Sequence, residues 1–160
     1  MDEIAIAAVT RADIPLLDSA LRRLAADLDD SYRAGPDLLT QALCDPGAAF
    51  LALLARRGDR PMGATLAAPV FSTIYGGAGL FVSDLWVAPE VRGKGLARRL
   101  LAATLREGRR RKTGHYLKLT VYDDNPGARA VYDRLGFAAQ SGDTNMILTG
   151  AALDRLGETR

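Results

Sequence analysis

The sequence is poor in cysteine and histidine. Among its 160 residues it has one of each, Cys44 and His115. An internal disulfide needs two cysteines, and zinc sites of the usual kind need several Cys or His side chains close together. A Cys-His nucleophile pair would require the one cysteine to meet the one histidine. The composition therefore argues against a disulfide framework, a structural metal and a cysteine nucleophile. We expect no metal site, and we expect both side chains to have structural roles.

Long hydrophobic runs are absent as well. No apolar stretch approaches the roughly 20 residues of a membrane-spanning helix. Residues 1–3 are acidic in composition, where a secretory signal would carry basic residues. We therefore expect a cytoplasmic protein that does not contact a membrane. With 48% hydrophobic and 25% charged residues, the chain fits one globular domain over residues 1–160.

Positive charge is unevenly distributed along the chain. The net charge of +2 is too small to indicate a nucleic-acid partner by itself. Nine basic residues nevertheless lie within residues 92–112. Many of them fall near the C-terminal end of a predicted helix, where positive charge is favourable. Attraction of an anionic cofactor and nucleic-acid binding are the functional alternatives to a solvated surface, and we expect no nucleic-acid partner.

Hydrophobic periodicity predicts an α/β (α+β) fold with a mixed, mostly antiparallel sheet of about six or seven strands flanked by helices. Strands are predicted at residues 4–9, 48–55, 62–71, 80–87, 115–122, 137–139 and 145–148. Helices are predicted at residues 13–28, 36–43, 93–114 and 128–135, with a helical turn in the tail at 150–160. Pro69 indicates an end, an edge or a bulge in its strand. The strand–helix–strand order predicts that strands 80–87 and 115–122 are parallel neighbours.

Residues 80–97 combine two features of a binding site. Asp84 stands in an otherwise apolar strand, and a buried carboxylate without a partner is costly. Gly93 and Gly95 lie where that strand turns into a helix, and the first N–H groups of a helix lack intrahelical partners and attract anions. The glycines match neither the dinucleotide fingerprint nor the nucleotide P-loop. Arg92 and Lys94 would add positive charge for a pyrophosphate, and a purely structural turn is the alternative.

A second pattern lies near the C-terminus. Asn125 precedes a predicted helix, where its side chain either caps the helix or contacts a ligand. Tyr132 lies two turns further on, and Gly136 and Phe137 follow the helix. Packing in the core is the alternative to a functional role for Tyr132.

Together, the two patterns resemble the GNAT acetyltransferase superfamily. Residues 92–97 resemble its pyrophosphate loop, residues 84–89 its fourth strand, and residues 125–137 its C-terminal motif. The resemblance covers nearly the whole chain and is nearest to the spermidine/spermine acetyltransferase-like branch. In that branch an acidic residue usually precedes the aspartate, whereas this chain has Ser83. The departure weakens the prediction of polyamine specificity.

The resemblance implies the acyl-CoA N-acyltransferase fold and acetyl-coenzyme A as cofactor. The implied reaction is direct transfer of acetyl to a primary amine of a small molecule, such as a polyamine, an amino acid or an aminoglycoside. A non-catalytic acyl-CoA sensor and a protein or peptide N-acetyltransferase are the alternatives. Related folds are often dimers, so a homodimer is also an expectation.

The resemblance also implies roles for individual residues. The cofactor-binding residues would be Leu85, Trp86, Val87, Arg92, Gly93, Lys94, Gly95, Leu96, Ala97, Asn125 and Tyr132. The catalytic residues would be Tyr132, as acid to the leaving thiolate, and Leu85, whose N–H would bind the carbonyl oxygen. Asp84 would act as a base through water, hold the cationic amine or be structural. A thiol with a pKa near ~8.5 and a tyrosine near ~10 make the proton transfer uphill by only about 2 kcal/mol.

The acceptor itself is not encoded in a recognised motif. Acidic residues at the predicted end of the first helix, Asp27, Asp29 and Asp30, oppose the helix dipole. They form either a solvated helix end or the wall of a pocket for a cationic substrate. The segments 29–36, 71–79 and 142–145 are the candidate acceptor loops.

Overall fold

The computed structural model describes residues 3–142 and 144–158. Residue contacts divide the chain into two units, Met1–Tyr122 and Asp123–Arg160, which are taken separately below. The prediction of a single domain stays a prediction. Among the described residues, no helix is long and apolar enough to cross a membrane.

The first unit contains a five-stranded sheet and three α-helices. The strands are β1 (Ala5–Ala8), β2 (Leu51–Arg57), β3 (Arg60–Ser72), β4 (Gly77–Val87) and β5 (Leu117–Leu119). The helices are α1 (Ile14–Asp27), α2 (Pro36–Cys44) and α3 (Leu96–Arg110). The strand order is β1-β2-β3-β4-β5, with antiparallel pairs except for the parallel pair β4 and β5. The mixed, mostly antiparallel sheet and the parallel neighbours are thus confirmed.

The second unit contains two helices, α4 (Pro126–Leu135) and α5 (Gly150–Gly157). The strands predicted at residues 137–139 and 145–148 are wrong, because neither segment forms a strand, and the count of six or seven strands was therefore too high. Met146 and Ile147 are 92% and 89% exposed, so this short apolar run buries no face. A strand forms only where a neighbouring strand accepts its backbone hydrogen bonds. Residues 143, 159 and 160, within the predicted acceptor loop and tail, lie outside the described residues.

Helix α3 is shorter than predicted at both ends. It was expected from near Gly93 to near Gly114, and it runs from Leu96 to Arg110. Gly93 and Gly95 have φ angles of +73° and +81°, which lie outside the right-handed helical region. The glycines therefore form a turn before the helix rather than its first residues.

Pro69 lies in the part of β3 that, among the described residues, pairs with β4 alone. The pairing of β2 with β3 stops where Leu51 faces Ala67, while β3 continues to Ser72 beside β4. A residue without an N–H fits such an edge position. The edge expected from Pro69 is confirmed.

Helices α1 and α3 lie on opposite faces of the sheet. The Thr65 hydroxyl of β3 contacts the Thr104 hydroxyl of α3 at 2.7 Å. Trp86 of β4 pairs with Ala64 of β3, the residue before Thr65. The Trp86 indole contacts Asp27 of α1. Side chains alternate between faces along a strand. One face is therefore covered by α3 and the other by α1.

The contact between Thr65 and Thr104 yields a stability prediction. Both residues are fully buried, and the Thr104 hydroxyl donates to the Leu100 carbonyl at 2.9 Å. Thr65 must therefore donate to Thr104. The T104V variant leaves a buried donor without an acceptor and is expected to lower the free energy of unfolding by about 1–3 kcal/mol.

The reverse change provides the control for this prediction. T65V leaves the Thr104 hydroxyl satisfied by Leu100, so we expect a smaller loss. The double variant should lie near wild type, because it removes both polar groups. Urea unfolding of the three variants measures these differences. A loss in T65V equal to or larger than that in T104V would contradict the assigned donor direction.

Candidate active site

Strand β4 contains a bulge at Ser83. Leu66 of β3 faces Asp84, while the next residue, Ala67, faces Val82. Ser83 is therefore an extra residue without a partner in β3. A bulge of this kind shifts the alternation of the strand by one residue.

The bulge reverses the direction of the backbone groups that follow it. Before the bulge, the Leu80 N–H points to the side of β5, where it donates to the carbonyl of Tyr116, the residue before β5, at 2.9 Å. After the bulge, the Ala88 N–H donates to the Met62 carbonyl of the β3 side at 2.8 Å. Because alternate residues of an antiparallel strand point to opposite sides, the N–H of Leu85 points away from β3.

The side of β4 that Leu85 faces is open. Strand β5 pairs only with Leu80–Val82, so within the described part of the chain no strand covers residues 83–87 on that side. The Leu85 N–H has no acceptor among the described residues. It is a free, fixed donor at the point where the resemblance implies an oxyanion donor.

The loop after β4 offers further free donors. The first backbone hydrogen bond of α3 runs from the Arg99 N–H to the Gly95 carbonyl at 3.1 Å. The N–H groups of Leu96, Ala97 and Arg98 therefore have no acceptor among residues 3–142 and 144–158. Gly93 and Gly95 are exposed, and a Cβ built on either would meet no atom within 4 Å. Such open backbone at a helix N-terminus fits an anionic group such as a pyrophosphate.

The two basic side chains of this loop contact protein groups instead. Arg92 donates from Nε to the Val87 carbonyl at 2.9 Å and from Nη2 to the Asp27 carboxylate at 2.5 Å. Lys94 donates to the Glu90 carbonyl at 3.0 Å. The backbone N–H groups thus remain the clearest ligands for a phosphate.

Asp84 lies on the same face of the sheet as Trp86, because the two are separated by one residue after the bulge. Its carboxylate accepts a hydrogen bond from the Ser83 hydroxyl at 2.6 Å. Burial raises the pKa of Asp84 above its usual value, and the Ser83 hydrogen bond acts in the opposite direction. Without the bulge, Asp84 would point to the α3 face.

Three further residues on the α1 side were missed by the sequence analysis. The Tyr32 hydroxyl donates to one carboxylate oxygen of Asp18 at 2.8 Å, and Arg22 donates to the other at 2.7 Å. The Arg22 guanidinium lies 4.6 Å from the centre of the Tyr32 ring. Burial, the Asp18 contact and the negative charge of Asp84 raise the pKa of Tyr32. The four-residue spacing of Asp18 and Arg22 was a readable signal of their ion pair. Tyr32 was covered only as a member of the candidate acceptor loop 29–36, and its contact with Asp18 was not predicted.

In the second unit, the contacts that Asn125 and Tyr132 make are structural ones. The Asn125 side chain accepts a hydrogen bond from the Ala128 N–H at 3.1 Å and caps α4. Tyr132 is 8% exposed, and its ring centre lies 5.7 Å from that of Phe137. Burial raises the pKa of Tyr132, so its hydroxyl holds a proton at neutral pH.

The part of the chain that the structure describes has no group of three or more His, Cys, Asp or Glu side chains placed to hold an ion. Comparison with protein-family models gives the family of the chain. The model of the GNAT acetyltransferase family matches residues 17–137. The chain belongs to this family. The resemblance inferred from the two sequence motifs is thereby confirmed at the level of the superfamily, while the spermidine/spermine-like branch is not distinguished.

Solved structures share the fold of this GNAT protein at low sequence identity. An integron cassette protein from V. cholerae has a TM-score of 0.76 and 18% identity over 99% of each chain. An aminoglycoside acetyltransferase from an uncultured soil metagenomic sample, in complex with sisomicin, has a TM-score of 0.75 and 14% identity over 91% of this chain and 95% of that one. The aminoglycoside N-acetyltransferase AAC(6')-Iy, in complex with CoA, has a TM-score of 0.73 and 15% identity over 93% and 95%. No curated protein sequence matches the chain.

Proposed function

We propose that this GNAT protein is an acetyl-coenzyme A-dependent N-acetyltransferase that acts on a primary amine of a small cationic molecule. The observation that carries the proposal is the bulge at Ser83. It leaves the Leu85 N–H free on the open side of β4, directly before a loop whose backbone N–H groups also lack acceptors. Two sets of donors on adjacent segments match the two anionic centres of the reaction, the carbonyl oxygen and the pyrophosphate.

In this proposal the loop residues Gly93 to Ala97 hold the pyrophosphate, and the backbone of Leu85 to Val87 lies along the acyl arm. The cofactor supplies an acetyl thioester. The Leu85 N–H would donate to the thioester oxygen as negative charge develops there, a contact worth about 3 kcal/mol in comparable sites. The amine nitrogen forms the new C–N bond as the C–S bond breaks.

Asp84 would attract the protonated amine. An ordinary aspartate is a weak base for an ammonium group whose pKa is near ~10, and burial narrows that gap by raising the pKa of Asp84. A carboxylate that is partly withdrawn from water also attracts a cation more strongly than an exposed one. We therefore assign Asp84 to holding the cation, with proton removal through water as its second role.

Tyr132 would return a proton to the leaving sulfur. The support is the C-terminal motif from Asn125 to Phe137 and the burial that keeps the phenol protonated. The Y132F variant keeps the ring and removes the proton, so we expect kcat to fall by about 10²–10⁴-fold while the Kd for coenzyme A changes little. Steady-state kinetics and calorimetric titration measure the two quantities. Turnover at the wild-type rate would exclude Tyr132 as the acid.

The test of the proposed function is an acetyl-coenzyme A turnover assay with polyamines, aminoglycosides, amino acids and peptide N-termini. We expect turnover with at least one small amine that carries more than one positive charge. Coenzyme A binding without turnover on any amine would favour the acyl-CoA sensor, and turnover restricted to peptides would favour a peptide N-acetyltransferase. Absence of coenzyme A binding would overturn all three. A cytoplasmic location, expected from the composition, and a homodimer, implied by the resemblance, are part of the proposal.

A further inference from the structure

One carboxylate links α1, β4 and the glycine loop. The same oxygen of Asp27, the last residue of α1, accepts hydrogen bonds from the Trp86 indole at 3.2 Å and from Arg92 at 2.5 Å. Arg92 donates in addition to the Val87 carbonyl at 2.9 Å. The Arg92 guanidinium thus joins the end of α1 to the end of β4.

The position of Asp27 is unfavourable for the helix itself. A negative charge in the last helical turn opposes the helix dipole. Trp86 is 2% exposed, so its buried N–H needs an acceptor, whereas the Arg92 and Asp27 side chains are 52% and 39% exposed. An ion pair this exposed contributes little to stability. These contacts are therefore better explained by a role in positioning β4 than by a role in stabilising the fold.

We infer that Asp27 is a positioning residue, which fixes Trp86 and Val87 at the end of β4 through its contacts with the indole and with Arg92. The inference rests on the proposed function, since these two residues belong to the backbone that would lie along the acyl arm. In this arrangement Arg92 acts as a brace between α1 and β4. The pyrophosphate is then bound by the backbone N–H groups of the loop.

The D27N variant separates the two contacts. The amide oxygen still accepts from Trp86, but the charge that holds Arg92 is lost. Small displacements of a reacting group reduce turnover strongly, so we expect kcat to fall about tenfold while the Kd for coenzyme A stays within about threefold of wild type. R92Q should give the same decrease. The double variant should fall no further, because both changes break one connection.

Two additional measurements make the result specific. Trp86 is the only tryptophan in the chain, so its fluorescence reports the indole contact, and D27A should change the emission while D27N retains it. D45N is the matched control, because Asp45 forms another exposed ion pair, with Arg11 at 3.1 Å. It should leave kcat unchanged.

The outcomes are distinct from those that test the proposed function. If wild-type protein neither binds coenzyme A nor acetylates an amine, the proposed function fails. If wild type is active and D27N keeps its kcat, Asp27 has no positioning role. A large loss of coenzyme A affinity in R92Q with kcat retained would make Arg92 a phosphate ligand and overturn the inference. A double variant slower than either single variant by another tenfold would also overturn it.

Discussion

The G95A variant is expected to weaken coenzyme A binding about tenfold or more. Gly95 has φ of +81°, a conformation that costs a residue with a Cβ about 1–2 kcal/mol. The added methyl would project into the open space in front of the loop, where the pyrophosphate is proposed to lie. Relaxation of the strain would also move the N–H groups of Leu96 and Ala97. Calorimetric titration with coenzyme A measures the effect.

Gly76 provides a matched control for this substitution. It has φ of +72°, and a Cβ built there also meets no atom within 4 Å. G76A should therefore lose about the same 1–2 kcal/mol of stability and keep its affinity for coenzyme A. Equal affinities in G95A and wild type would show that the glycine turn does not contact the cofactor.

The D84N variant is expected to lower kcat/KM for a cationic amine by about 10- to 100-fold. Loss of a hydrogen bond to a charged group costs about 1.5–3 kcal/mol, and every 1.4 kcal/mol is a factor of ten. Asparagine has nearly the same shape and retains an acceptor for the Ser83 hydroxyl, so the lost charge is the main change. Steady-state kinetics with the best amine of the panel measure the decrease.

The same variant has a predicted effect on stability of opposite sign. Because the pKa of Asp84 is raised in the folded state, the unfolded chain loses this proton at lower pH than the folded one. Ionisation of Asp84 therefore destabilises the fold at neutral pH, and D84N should have a higher Tm at pH 7. The gain should disappear as the pH falls through the pKa of Asp84, where wild type becomes neutral too. Thermal unfolding from pH 4 to pH 8 tests this.

E3Q is the control for the effects of D84N on kcat/KM and on Tm. It also removes one negative charge, but at a residue before β1. Strand β1 lies three strands from β4 in the sheet order, about 14 Å away at ordinary strand spacing. We expect wild-type kinetics from E3Q. An unchanged kcat/KM in D84N would assign Asp84 a structural role only.

The sequence predicted the parts of the fold that depend on local pattern. The long alternating or apolar runs identified all five strands of the first unit, and the strand–helix–strand order predicted the parallel pairing of β4 and β5. The segment from Asn145 to Leu148 failed because its apolar residues have the composition of a strand without a neighbouring strand. Strand formation depends on a partner that composition does not reveal.

In the site too, the features that depend on one residue type could be predicted, and those that depend on strand register or packing could not. Gly93 and Gly95 were readable because a left-handed backbone favours one residue type. The bulge at Ser83 was not readable, since the surrounding residues are ordinary for a strand and the register is set by β3. The engagement of Arg92 with Asp27 was hidden for a similar reason, as the two residues are far apart in sequence and meet only through the packing of α1 on β4.

The end of β3 bears on how the sheet avoids pairing with strands of other chains. Leu80 faces Pro69 across the sheet and gives its N–H to Tyr116, so the backbone of Pro69 points away from β4 to the uncovered edge. An exposed strand edge invites pairing with other chains, and here Phe71 and Ile74, at 71% and 90% exposure, increase that tendency. Pro69 presents no N–H donor at this edge. The missing donor makes strand addition less favourable beside the exposed Phe71 and Ile74.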